Sequence, residues 1–163
     1  MQHVLLDTSF LICLSTPSRT NHQTAKTYYQ NFIARGVTMF LSTIVISEFE
    51  VRQRVTDLDL HNFIVKPFNY DDACTAGRLF ERGFAAKAPG DDRVAVKDDI
   101  KLLAQCMTGG IEHFITDDGP CTRRVAALRS TGTVASLPHA ICIQDPFSDA
   151  WFAEGNQASL SLG

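Results

Sequence analysis

The sequence has no C-x-x-C pair, and its five cysteines, Cys13, Cys74, Cys106, Cys121 and Cys142, are odd in number. A disulfide framework and a cysteine zinc site are thereby excluded as organising features, and a reduced, cytoplasmic compartment is expected. The histidines His3, His22, His61, His113 and His139 also lack metal-ligand spacing. No apolar run approaches the roughly 20 residues of a membrane span. The chain opens on an acid-terminated apolar run, not on a charged and then apolar export signal, so a soluble protein is expected. Internal repeats and long low-complexity tracts are missing as well.

Neither sign of charge dominates. Lys and Arg number 15 against 18 Asp and Glu, for a net charge of −3, with 20% charged and 9% aromatic residues. Neither a disordered chain nor a globally basic nucleic-acid binder fits that balance. Setting aside the four acids favoured below leaves 14 acidic residues against 15 basic ones. Such a surface suffices for local phosphate contact, not for long-range steering.

What is present is one core's worth of apolar sequence: 163 residues, 45% hydrophobic, within the usual size of a single domain. The expected domain is 1–153, followed by a small, polar, frayed tail at 154–163. Segments alternate as in a three-layer α/β/α fold with a central, mainly parallel sheet. Strands are expected at His3–Leu6, Val37–Ser42, Ile111–Thr116 and Ala140–Ile143, with Phe63–Phe68 open between strand and connector. Helices are expected over Asn21–Arg35, from a Thr43 cap past Glu48, from an Asn69 or Asp71 cap to about Arg82, from Val94 to Met107, and from Gly119-Pro120 to Arg129. Phe84–Arg93, with Pro89-Gly90, reads as a mobile loop.

Acids punctuate this pattern. Asp7 closes the first apolar run, and Glu48, Asp98-Asp99 and Asp117-Asp118 stand at similar junctions. In α/β folds the carboxyl ends of parallel strands converge on one crevice. Carboxylates gathered there repel unless protonated or neutralised, and an all-oxygen set favours magnesium or manganese. Each acid alone is more simply a helix cap; their joint placement favours a metal site. Asp98 and Asp99 are about 100° apart on a helix, so one is a ligand candidate and the other a cap or supporting group. The same choice is open at Asp117 and Asp118. Thr8, Ser9, Ser47 and Thr116 add hydroxyls able to orient the carboxylates. Such a site hydrolyses phosphodiesters with metal-activated water. Arg93, Lys97, Lys101, Arg123 and Arg124 are candidate phosphate guides, against an ordinary solvated face. Tyr28, Tyr29 and Phe32 are candidates for a dimer surface, against core packing.

The segments Leu5–Ile12, Leu41–Glu48, Val96–Cys106 and His113–Asp118, in that order and spacing, resemble the four-part signature of PIN-domain nucleases over about Val4–Pro146. Carried over by motif position, the resemblance implies Asp7, Glu48, Asp99 and Asp118 as catalytic metal ligands, with Asp98 and Asp117 in reserve. It implies an endoribonuclease dependent on Mg²⁺ or Mn²⁺. Small single-domain members resemble VapC-type toxins of toxin–antitoxin pairs, which implies an RNA substrate, a homodimer and an antitoxin partner. A PIN nuclease that processes RNA without being a toxin, and a non-catalytic module that binds RNA or protein, are the alternatives. A phosphatase with Asp7 as nucleophile would want a second Asp two residues on, where Ser9 stands.

Overall fold

The computed structural model describes residues 1–85, 93–132, 134 and 136–153. Five strands, β1 (His3–Leu6), β2 (Thr38–Ser42), β3 (Phe63–Lys66), β4 (His113–Thr116) and β5 (His139–Cys142), form one sheet in the order β3-β2-β1-β4-β5. Every neighbouring pair is parallel, with Leu5 opposite both Phe40 and Phe114. Six helices accompany it among the described residues: α1 (Thr8–Ser15), α2 (His22–Ala34), α3 (Thr43–Glu50), α4 (Tyr70–Ala85), α5 (Arg93–Gly109) and α6 (Gly119–Ser130). None is long and apolar enough to cross a membrane.

The chain winds outward from β1 to β3, then returns to the other side of β1 for β4 and β5. Right-handed crossovers in opposite directions put the two sets of helices on opposite faces. α1 packs on α2 and α3, and α4 on α5 and α6, which is the three-layer α/β/α arrangement expected. Covered on both faces, the central strands are nearly all apolar: Val4, Leu5, Leu6, Leu41, Phe114 and Ile115 have no exposed surface. Each such side chain contributes about 1.5–3 kcal/mol by leaving water. A satellite cluster of Ala76, Leu79, Val96, Ile100 and Ala104 joins α4 to α5.

Buried polar side chains fix the edges of this frame. Ser42, fully buried, donates to Gln105 Oε1 at 2.6 Å, while Gln105 Nε2 donates to the carbonyls of Lys66 and Pro67. One α5 amide therefore ties β2 to the end of β3. Asn69 Oδ1 accepts from Asp72 N and Asp72 Oδ2 from Asn69 N, a reciprocal capping box at the start of α4. Gly110, at φ +62°, ends α5 in the left-handed region where glycine is least strained.

Several expectations change in detail. Ser42, not Thr43, caps α3, accepting from Ile44 N at 3.0 Å. Thr8–Ser15, for which the sequence sets no expected element, is a helix. Of the expected loop, Phe84 and Ala85 end α4 and Arg93 begins α5, while 86–92 lie outside the described residues. The tail 154–163 also lies outside them. Tyr28 and Phe32 are buried to 1% exposure or less and belong to the core, so they are not a dimer surface; Tyr29 packs on Phe63.

Candidate active site

The winding of the sheet reverses between β1 and β4, so the crevice between neighbouring crossovers opens at their carboxyl ends. Asp7 follows β1 there, its N–H donating to the Ile115 carbonyl of β4 at 3.0 Å. Asp117 and Asp118 follow β4, Glu48 comes in from α3, and Asp98 and Asp99 from α5. These six carboxylates all line one cavity of about 500 Å³.

Asp7 sits at the N-cap position of α1 without a side-chain capping bond. Its Oδ2 instead accepts from the hydroxyls of Ser9 (2.5 Å) and Thr116 (2.7 Å). Thr116 Oγ1 lies 3.0 Å from Ser9 Oγ and accepts from Asp118 N; Ser9 Oγ accepts from Asp117 N at 2.8 Å. Two hydroxyls thus lock the turns after β1 and β4 together and aim Asp7. Thr8 donates to Glu48 Oε2, joining α1 to α3. Ser47, the fourth hydroxyl expected here, instead turns back to the Ile44 carbonyl.

The two ambiguous pairs resolve into different surroundings. Neither Asp98 nor Asp99 caps a helix, since α5 begins at Arg93. Asp98 Oδ1 pairs with Lys101 at 2.7 Å, and its charge reaches Glu48. Asp99 Oδ2 pairs with Arg124 at 2.6 Å, and Asp99 feels the charges of Asp7 and Asp118. Asp118 caps α6 by accepting from Cys121 N. Asp117 turns toward α1 and α2, accepting from Asn21 Nδ2 at 2.7 Å and from the Cys13 thiol at 3.1 Å.

Mutual repulsion and burial leave their mark on the acids. Burial raises the Asp7 carboxyl despite its two hydroxyl donors. Burial, with the charges of Asp7 and Asp98, raises Glu48. Burial, with the charge of Asp7, pushes Asp99 up to about 7 even though Arg124 opposes the shift. This is the electrostatic condition that a divalent cation relieves, and the all-oxygen donor set suits magnesium or manganese. Among the described residues, however, no three His, Cys, Asp or Glu side chains form a closed metal-ligand set.

The expected phosphate guides separate. Arg124 is buried against Asp99 and Lys101 is paired with Asp98, so neither is free at the surface. Lys97 and Arg123 are exposed but do not line the cavity. Arg19 and Arg52 do line it and were missed. No local pattern marks them, because only the packing of α1 against α3 brings the segments after those helices together. A larger cavity, about 1050 Å³, lies at the opposite end of the sheet around Met1, His113, His139 and Trp151, and holds none of the site acids.

The class this architecture defines is the PIN-like α/β/α fold, with an acid-lined crevice at the switch point. Solved structures of VapC and VapBC proteins share the fold. A chain of the VapBC2 complex of Rickettsia felis bound to a promoter DNA fragment matches with a TM-score of 0.57 and 12% identity, over 86% of this chain and 98% of that one. DNA-bound VapBC of Salmonella typhimurium matches at 0.54 and 12%, over 88% and 99%. VapC20 of Mycobacterium tuberculosis, a sarcin–ricin loop cleaving toxin, matches at 0.53 and 18%, over 83% and 99%. No protein-family model and no curated protein sequence matches the chain.

Proposed function

We propose that this chain is a divalent-metal-dependent endoribonuclease, the toxin half of a toxin–antitoxin pair acting in the cytoplasm. The observation that carries the reading is the convergence of Asp7, Glu48, Asp98, Asp99, Asp117 and Asp118 on one cavity, where burial raises Asp7, and burial with neighbouring carboxylate charge raises Glu48 and Asp99. Asp7, Glu48 and Asp99 are the primary ligands for Mg²⁺ or Mn²⁺. Asp118 follows them, with Asp98 and Asp117 in reserve. The bound cation supplies an activated water and neutralises the phosphate.

The protein's own part is positional. Ser9 and Thr116 fix the rotamer of Asp7, and Thr8 fixes Glu48. Arg124, which donates to Asp99 Oδ2 at 2.6 Å, would hold that carboxylate in orientation toward a bound cation. The nucleic acid partner is RNA. Two of the structural neighbours are VapBC complexes on DNA, which supports an antitoxin partner here; a homodimer is the expected assembly.

A second reading is favoured by one observation, the Arg124–Asp99 ion pair. A guanidinium already neutralises the acid that a metal would need, as in a PIN module that binds RNA or protein without cutting. The deciding experiment incubates purified protein with a structured RNA pool in Mg²⁺, Mn²⁺ or EDTA, with Asp7→Asn alongside and metal titrated by calorimetry. Metal-dependent cleavage lost in Asp7→Asn supports the nuclease. Folded protein that neither takes up metal nor cleaves establishes the binding module.

A further inference from the structure

Arg19 and Arg52 differ from the other basic side chains near the acids. Arg124 and Lys101 are held by carboxylates. Arg19 and Arg52 are exposed and, among the described residues, have no ion pair, although they line the same cavity as six carboxylates. A second cavity, of about 260 Å³, adjoins the first and shares Ile12, Arg19 and Arg52 with it; Thr16, Phe49 and Gln53 complete its lining. The two guanidiniums therefore stand at the junction between an acidic chamber and a smaller, mostly uncharged one.

That juxtaposition suits one piece of a polynucleotide. Guanidiniums bind phosphate through paired N–H donors and keep their charge at any working pH. At about 260 Å³ the side chamber is smaller than the roughly 300–1,000 Å³ of a drug-sized ligand site, so it admits a single base. Ile12 offers an apolar face, while the Gln53 amide and the Thr16 hydroxyl supply donors and acceptors for a base edge. A base reaches such a chamber only from an unstacked strand.

We infer that Arg19 and Arg52 clamp the phosphate next to the bond that is cut, and that the adjoining chamber takes one unpaired RNA base, read by Gln53. The inference rests on the RNA-cleaving reading and names its substrate as single-stranded or looped RNA. Arg19 and Arg52 are positioning residues.

The test uses full-length Asp7→Asn protein, in which binding is read without cleavage, with fluorescent single-stranded homopolymer RNAs at several salt concentrations. Removing both guanidiniums in Arg19→Ala/Arg52→Ala should lower affinity roughly tenfold. It should flatten the plot of log affinity against log salt by about 0.7 for each phosphate that is no longer neutralised. Arg19→Lys/Arg52→Lys should retain the slope and lose part of the affinity, because the charge stays and the fork goes. Gln53→Ala should reduce the differences among homopolymers while leaving the slope alone, and Arg78→Ala on α4 should change neither. Unaltered slope and affinity in the double alanine variant overturn the inference, as does failure of Asp7→Asn protein to bind any RNA. Cleavage is scored separately on the chain with Asp7 intact. Cleavage with an unaltered slope sinks only the clamp; an arginine-dependent slope without cleavage sinks only the hydrolytic reading.

Discussion

Asp98 and Asp99 are adjacent in the chain yet belong to different electrostatic neighbourhoods. Asp99 is the more enclosed, with 13% of its side chain exposed against 24% for Asp98, and it couples to Asp7, Asp118 and Arg124. Asp98 couples to Lys101 and Glu48. On the proposed function, Asp99→Asn should cut RNA cleavage by roughly 10²–10³-fold, the scale for losing a group that handles transition-state charge. Asp98→Asn should cost about tenfold or less, as for a supporting residue. Single-turnover cleavage rates decide the matter; the reverse order would move the third ligand to Asp98. Residue pattern alone leaves the choice between them open, and only the resemblance favours Asp99. The choice depends on which way α5 turns as it packs on α4 and β4, and two adjacent acids carry no spacing signal that sets it.

Arg124 shows the opposite kind of miss at the same scale. In sequence it is one of two adjacent arginines on a helix of low hydrophobicity, easily read as solvated; in the fold it is 5% exposed and held by Asp99 at 2.6 Å. Arg124→Ala leaves a buried carboxylate without its cation, so unfolding free energy at pH 9 should fall by about 3 kcal/mol. At pH 6 the loss should be smaller, because Asp99 can then take up a proton. Urea titrations at the two pH values measure this, and an equal loss at both would show that the pair contributes packing alone.

At the scale of elements, alternation of apolar segments with helix signals was enough to read the parallel sheet, because four of its strands are short apolar or β-branched runs between recognisable stops. The exceptions have local causes. α1 begins directly behind Asp7 with no turn residue between strand and helix, so β1 and α1 merge into one apolar run. At α3 two hydroxyl residues compete for the cap. Ser42 wins because its backbone is extended (φ −67°, ψ 145°) and its hydroxyl also reaches Gln105. Ser42→Ala removes a cap and leaves the buried Gln105 Oε1 without this donor. It should cost about 2 kcal/mol by urea denaturation, the sum expected for a cap and a buried hydrogen bond. Thr43→Ala should cost less, since the Thr43 hydroxyl accepts only from Phe68 N at an exposed site. Equal losses would mean that Thr43 shares the cap.

Across the whole molecule, the two ends of the sheet impose opposite pH dependence on stability. At the carboxyl end, Asp99 is raised from 3.8 to about 7 in the fold. Its contribution is fully present below about pH 3.8 and is lost as pH rises through 7, by about 1.4 kcal/mol per unit. At the other end His113 is buried, stacked on His139, and its Nδ1 has no hydrogen-bond partner among the described residues. Burial, with the neighbouring positive charges of His139 and the chain's amino terminus, lowers it from 6.5 to about 4. Its contribution is present above pH 6.5 and is lost as pH falls through 4. Between pH 4 and 6.5 the two slopes oppose each other, so the protein's profile there should be flatter than either group alone would make it. Separation across the sheet lets single variants expose each slope. Relative to the parent protein and without added metal, Asp99→Asn should shift the slope of stability against pH between 4.5 and 6.5 upward, and His113→Phe should shift it downward, while Asp7 and Glu48, also raised, keep their own falling contribution in both. Urea unfolding in EDTA at pH 4.5, 5.5 and 6.5 measures both, and parallel profiles in the two variants would show that neither group titrates as its surroundings require.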